Sequence, residues 1–183
     1  MIRPIRIDDI PACVSLYNPY ITDTTITFEM EPLSVESFTA RVRDITQQYP
    51  YYVYEDDETH AILGYAYLSP YSERKAYRFT CDLSIYIAMD VRGRGIGRAL
   101  YEVIEAEAYR RGFYTIIAIV TSENAVSMAF HESMGFIKMA DFPNMGHKFG
   151  RWLGVRYYRK NLRLPNPSGE TEELIPQEKQ QML

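Results

Sequence analysis

Cysteine is nearly absent: Cys13 and Cys81 are the only two in 183 residues, far apart and without a C-x-x-C pairing. That excludes a disulfide framework and leaves no zinc signature, and both read as small buried side chains in a reducing compartment. Histidine is scarce too, with His60, His131 and His147 scattered along the chain. No cluster of His, Cys and carboxylates has metal-ligand spacing, and no Ser/His/Asp arrangement stands out. Also missing is any run approaching the roughly 18 to 20 apolar residues that span a bilayer. The opening "MIRPIRIDDIP" has no apolar leader stretch, so a soluble, cytoplasmic protein is expected. An excess of one charge is lacking as well: 20 basic against 24 acidic residues leave −4, which gives no footprint for nucleic acid or an anionic membrane. The partners that remain are a small molecule or another protein.

What the chain does have is an ordinary globular composition, 46% hydrophobic and 14% aromatic, enough for one domain with a full core. "IRPIRI" alternates like a strand, and Ile10, Val14, Tyr17 and Ile21 then fall at helical spacing with Asp8 or Asp9 as N-cap. Phe38, Val42 and Ile45 form the stripe of a second helix that Ser34 opens and Pro50 stops. Tyr51 to Glu55 and Ala61 to Ser69 read as a hairpin, "CDLSIYIAM" as the next strand, and "YTIIAIV" as a strand covered on both faces. Asn124 begins a helix that Gly135 ends, "FIKMADF" resumes in extended form, and "RWLGVRYYRKNL" alternates as a final strand. The order β-α-α-β-β-β-α-β-α-β-β makes a mixed α/β domain over residues 1–163, followed by a proline-containing, mobile tail over 164–183.

Three of the ten glycines, Gly93, Gly95 and Gly97, stand at alternate positions between a strand and a periodic helix whose face is Ile96, Leu100, Val103, Ile104 and Ala108. A strand that feeds such a turn aims several backbone N–H groups and a helix dipole at one point, which suits a phosphate. The spacing is G-x-G-x-G, neither the dinucleotide G-x-G-x-x-G nor the G-x-x-x-x-G-K-[ST] loop. A plain tight turn with solvated arginines is the bland alternative.

Arg92-x-x-Gly95-x-Gly97, with "SIYIAM" before it and Asn124-x-x-Ser127 after it, resembles the acetyl-CoA signature of the GNAT family of N-acetyltransferases. "TITFEMEP", "KAYRFT", "NAVSMAFHESMGF" and "GHKFGRW", in order, narrow the resemblance to the phosphinothricin and methionine sulfoximine acetyltransferase branch. The resemblance implies an α+β single-domain fold with a mixed, mostly antiparallel central sheet flanked by helices. It implies acetyl-CoA as cosubstrate, and transfer of the acetyl group to the α-amine of a small amino acid or analogue. Arg92, Gly93, Arg94, Gly95, Ile96, Gly97 and Arg98 would cradle the pyrophosphate, with Asn124 and Ser133 completing the coenzyme site. The backbones of Ile85, Tyr86 and Ile87 would pair with the pantetheine arm. Phe28, Arg74, Lys75, Ala76, Tyr77 and Met134 would form the acceptor pocket.

Acetylation of an amine needs an uncharged nitrogen and a proton path. Asp82 stands where the resembling enzymes usually carry glutamate, one methylene shorter, and is the candidate base; pairing with Arg74 or Arg78 is its alternative reading. His131 stands where this branch places histidine and is the second candidate, with a packed core residue as its alternative. Which of the two is acid and which base stays open at this point. Asn124 doubles as a helix N-cap, Arg74 also reads as solvated surface, Met134 also reads as core, and His147 and Lys148 read as pocket rim without chemistry. A coenzyme-binding domain that has lost catalysis is the competing function. The aromatic content of the N-terminal loop and last strands points to a homodimer, which the resembling enzymes also form.

Overall fold

The computed structural model describes residues 1–171 and 173–176. Seven strands form one sheet in the order β1-β2-β3-β4-β5-β7-β6, where β1 is Ile2–Pro4, β2 Tyr51–Glu55, β3 Ile62–Pro70, β4 Thr80–Ile87, β5 Thr115–Thr121, β6 Ile137–Lys148 and β7 Arg151–Asn161. All neighbours are antiparallel except β4 and β5. Parallel strands need a crossover, and α3 (Ile96–Arg110) supplies it. Helices α1 (Ile10–Asp23) and α2 (Val35–Thr46) precede β2, and α4 (Ala125–Ser133) joins β5 to β6. The element order is the one expected from the sequence.

Strand alternation sorts the core onto two faces. Tyr51, Val53 and Tyr65 pack with Val14, Tyr17, Tyr20 and Phe38 under α1 and α2. Ala66, Leu68, Cys81, Leu83, Ile116, Ala118 and Val120 pack with Leu100, Tyr101 and Ile104 of α3 on the other face. Both cysteines are free and fully buried, one in each layer.

Two local expectations change. Asp9 precedes α1 but makes no side-chain cap; its carboxylate turns back to take the Arg6 N–H at 2.6 Å and the Arg3 guanidinium at 2.7 and 2.8 Å. A short 3-10 turn at Ile7–Asp9 intervenes, which moves the carboxylate away from the free N–H groups of the helix. β5 is covered on one face only: Ile116, Ala118 and Val120 are buried, while Ile119 is 46% exposed. Helices α1 and α2 lie over the β1–β3 half of the sheet and do not reach β5. Their end leaves an open floor beside β4.

The mobile-tail expectation over 164–183 falls partly on residues 172 and 177–183, which lie outside the described residues. Among the described ones, Leu174 packs against the α3-side core and the Ile175 N–H donates to the Arg111 carbonyl at 3.0 Å.

Candidate functional site

β4 and β5 pair only over Thr80–Asp82 against Thr115–Ile117. Beyond that register the two strands part, so β4 from Leu83 onward has β3 on one side and an open wedge on the other. The Ala88 N–H donates to the Leu63 carbonyl at 2.9 Å, which makes Ile87 and Gly64 a non-hydrogen-bonded pair. By alternation, Leu83, Ile85 and Ile87 turn their N–H and C=O groups into the wedge. Tyr86 exchanges its own with β3 and the Tyr20 hydroxyl takes both groups of Ile87, so of the three residues expected to pair with a pantetheine arm only Ile85 keeps uncommitted backbone groups that point there.

The glycine turn closes the top of this wedge. Gly93 and Gly95 have φ of 83° and 79°, values that favour glycine, and Gly95 is the residue from which α3 starts. Residues 96–98 therefore open α3 with free N–H groups at the positive end of its dipole. Arg92, Arg94 and Arg98 are exposed around the turn, and the Arg92 guanidinium lies 5.2 Å from the centroid of the Tyr20 ring. Opposite, Asn124 caps α4 by accepting the Ser127 N–H at 3.0 Å. Open strand edge, left-handed glycines and a helix start on one line fit an extended, phosphate-bearing ligand.

Ser133 lies at the far end of the same helix. It is the last residue of α4, about 13 Å of helix rise from Asn124, exposed, and its hydroxyl donates to the Phe130 carbonyl at 2.7 Å. Met134 is buried in the α3-side core, away from the uncovered face, which matches its alternative reading as core.

Asp82 sits where β4 and β5 separate. Cys81 and Leu83 point to the α3 side, so the Asp82 carboxyl points to the opposite, uncovered face. Its Oδ1 is buried and has no hydrogen-bond partner, and among the described residues no cation is within ion-pair distance, Arg74 and Arg78 included. Loss of water around an unpartnered carboxyl pushes its pKa from 3.8 up to about 7. Tyr157 of β7 borders the same face, with burial, Tyr71 and Asp82 all raising its pKa. Tyr71 meets Tyr77 edge-on at 5.4 Å. Tyr77 closes the exposed 3-10 turn Lys75–Tyr77 that follows Arg74 and leads into β4.

His131 lies on the other face of the sheet. It is 7% exposed, wedged between the Phe130 and Phe136 rings at 5.3 and 5.1 Å and stacked on Tyr158 at 6.1 Å. Its Nδ1 is 2.7 Å from the Ser127 carbonyl; that partner accepts only, so the tautomer assigned carries the proton on Nδ1 and leaves Nε2 with a lone pair. Burial lowers its pKa from 6.5, so the ring is neutral at pH 7.

Two contributors carried no sequence signal, and a third, Lys148, is placed otherwise than the sequence suggests. The Tyr20 hydroxyl, from α1, donates to the Ile87 carbonyl and accepts the Ile87 N–H at 3.3 Å, holding the outer end of the wedge. Glu123 ties the Thr25 hydroxyl at 3.1 Å to the guanidinium of Arg151, beside an open groove of about 470 Å³ that also contacts Asn124 and Phe149. Lys148, expected on a rim, is 2% exposed. Spacing along one element cannot reveal them, because their contacts to Ile87, Thr25 and Thr27 span 67, 98 and 121 residues.

Residues 2–154 match the family described as "Acetyltransferase (GNAT) domain". The chain is 36% identical to phosphinothricin N-acetyltransferase of Alcaligenes faecalis over 163 residues, covering 88% of this chain and 82% of that protein. It is 32% identical to the L-methionine sulfoximine/L-methionine sulfone acetyltransferase of Pseudomonas paraeruginosa over 165 residues, covering 88% and 94%. A phosphinothricin acetyltransferase from Sinorhizobium meliloti, solved with acetyl-CoA, superposes with a TM-score of 0.90 at 31% identity, covering 97% and 96% of the two chains. Among the described residues no group of His, Cys and carboxylates could hold a metal ion, and no helix is long and apolar enough to cross a membrane.

Proposed function

Given that the chain belongs to the GNAT acetyltransferase family and is an N-acetyltransferase that uses acetyl-CoA, we propose that its acceptor is the α-amine of a small amino acid or analogue. The phosphinothricin, methionine sulfoximine and methionine sulfone class is favoured, with direct transfer of the acetyl group. The observation that carries the reading is the unpartnered Asp82 carboxyl at the fork of the β4–β5 wedge, on the open face.

Bound along the wedge, acetyl-CoA supplies an activated thioester. The turn from Arg92 to Arg98 would hold its phosphates, the backbones of Leu83 and Ile85 its pantetheine arm, and Asn124 the opposite wall. An amino acid entering from the open face brings an ammonium group, which must lose a proton before it can attack. A carboxyl titrating near 7 is matched to that transfer at neutral pH. Taking the proton on Asp82 Oδ1 also relieves the cost of an unpaired buried charge. His131, on the coenzyme face, can exchange a proton only through Nε2, and at neutral pH it accepts and does not donate. Arg74, exposed and without an ion-pair partner among the described residues, can grip an acceptor carboxylate with two hydrogen bonds. Phe28 and Tyr77 give that pocket aromatic walls.

The same reading places the enzyme in a reducing cytoplasm, in keeping with two free buried cysteines. It also pairs two copies through the β6–β7 hairpin, where Ile137, Met139, Phe142, Met145 and Trp152 are exposed. The test is thiol release from acetyl-CoA over a panel of phosphinothricin, methionine sulfoximine, methionine sulfone, ordinary amino acids and polyamines. Saturable release with the amino-acid class is expected. Release with polyamines alone, or with none of the panel, overturns the assignment.

A further inference from the structure

Lys148 is a buried ammonium with little to hold it. It is 2% exposed and donates to the Thr27 carbonyl at 2.8 Å, across 121 residues. Its Nζ also lies 5.0 Å from the centroid of the neighbouring Phe149 ring. Among the described residues no carboxylate is within ion-pair distance of it. Glu29, which acts on it at longer range, is paired with Arg41 at 2.7 Å. A charge buried against one neutral acceptor is costly, because a single carbonyl does not replace the water and counter-charge it gives up.

Two residues earlier on β6, Gly146 shares the same strand face, because residues 146–148 pair in regular register with Leu153, Trp152 and Arg151. A Cβ on Gly146 would lie 2.3 Å from Cε2 of the Phe28 ring, so the ring is seated on bare backbone. Thr27 and Phe28 are adjacent in the loop between α1 and α2, which has no regular secondary structure of its own. Among the described residues, their other buried hydrogen bond joins the Thr27 hydroxyl to the Tyr17 hydroxyl at 2.9 Å. Thus β6 presents a seat for one side chain and a donor for the preceding carbonyl, side by side.

We propose that Gly146 and Lys148 form a two-point receptacle for residues 27–28, and that Lys148 is a positioning residue which, through Phe28, sets the acceptor specificity. The specificity part rests on the proposed function, in which Phe28 is a wall of the acceptor pocket. Lys148 does not touch the acceptor; it holds the backbone that aims the ring.

The test compares Lys148→Met, Gly146→Ala and Phe28→Ala, alone and combined. Lys148→Met keeps the length of the side chain and removes the donor; Gly146→Ala keeps the donor and fills the seat. Each is expected to raise the acceptor KM about tenfold, as small misplacements do, and to leave the acetyl-CoA KM within about twofold. In the Phe28→Ala background, Lys148→Met should add little, since the group it positions is gone. Additive effects there, or an unchanged acceptor KM in both single variants, overturn the proposal. Amide hydrogen exchange at residues 27–29 gives a readout without turnover, expected to speed up at least tenfold in Lys148→Met. Unchanged exchange removes the receptacle even if the enzyme is active. A wild-type protein silent on every acceptor, with faster exchange in the variant, removes the functional reading and leaves the receptacle in place.

Discussion

Replacing Asp82 by asparagine removes a charge and changes almost no volume, so it isolates the electrostatic cost of this carboxyl. Its pKa rises on folding from 3.8 to about 7 because burial strips its water and nothing replaces it. The folded state therefore binds the proton more tightly than the unfolded one. The stability this group contributes is fully present below pH 3.8, falls as pH rises between about 4 and 7, and levels off above. About three pKa units correspond to about 4 kcal/mol; the side chain keeps partial contact with solvent, which reduces this to about 2 kcal/mol. The Asp82→Asn variant has no such slope, so its stability relative to wild type should improve by about 2 kcal/mol between roughly pH 4.5 and pH 8. For a chain of this size that is about 4 to 8 °C in Tm. Thermal unfolding of both proteins across that range reads it directly. Parallel curves would mean that the carboxyl ionises in the folded protein as it does in water, and the base assignment would lose its physical ground. The same group should set the kinetics: wild-type kcat/KM for the acceptor rises with pH to half its maximum near 7. In Asp82→Asn that limb disappears, turnover falls by about 10² or more, and acetyl-CoA affinity stays within about twofold. Asp82→Ala should behave alike in turnover.

Gly95→Ala forces an alanine to φ near 79° at the start of α3; it should cost about 1 kcal/mol of stability and weaken acetyl-CoA binding more than acceptor binding, measured by calorimetry and by the two KM values. Tyr20→Phe frees both backbone groups of Ile87 while keeping the ring under Arg92, and should raise the acetyl-CoA KM about threefold or more through the loosened wedge, with the pH profile unmoved. His131→Ala should slow turnover less than Asp82→Ala, since the neutral ring donates no proton from Nε2; an equal or larger loss would reverse the ranking. Asn124→Ala should cost about 1 kcal/mol through the lost N-cap, seen in urea unfolding.

Much of the architecture is written in local patterns. The helical stripe from Ile96 to Ala108 and the alternation of β2 and β3 each depend on residues close in sequence, so the element order, the glycine turn and the Asn124 cap are legible in the amino-acid order. The period of a strand does not say what lies over it. "YTIIAIV" reads as doubly covered, yet Ile119 faces an open floor because α1 and α2 end short of β5. Backbone direction is equally silent in the sequence: Ile85 and Ile87 face the wedge while Tyr86 is committed to β3, a distinction set by the hydrogen-bond phase of the β3–β4 ladder. Asp82 is marked by type and place, but its missing partner follows from where Arg74 and Arg78 lie in space.

Local sequence thus dictates the elements, the phosphate-type turn and, through ordered motifs, the family. Packing dictates where β4 and β5 part, which face each candidate occupies, how Tyr20 comes to hold the end of the wedge, and how Lys148 and Glu123 come to tie down the loop between α1 and α2. The difference is one of range: propensity, capping and periodicity act within a few residues, whereas desolvation, strand divergence and contacts spanning 67 to 121 residues exist only once the chain has packed.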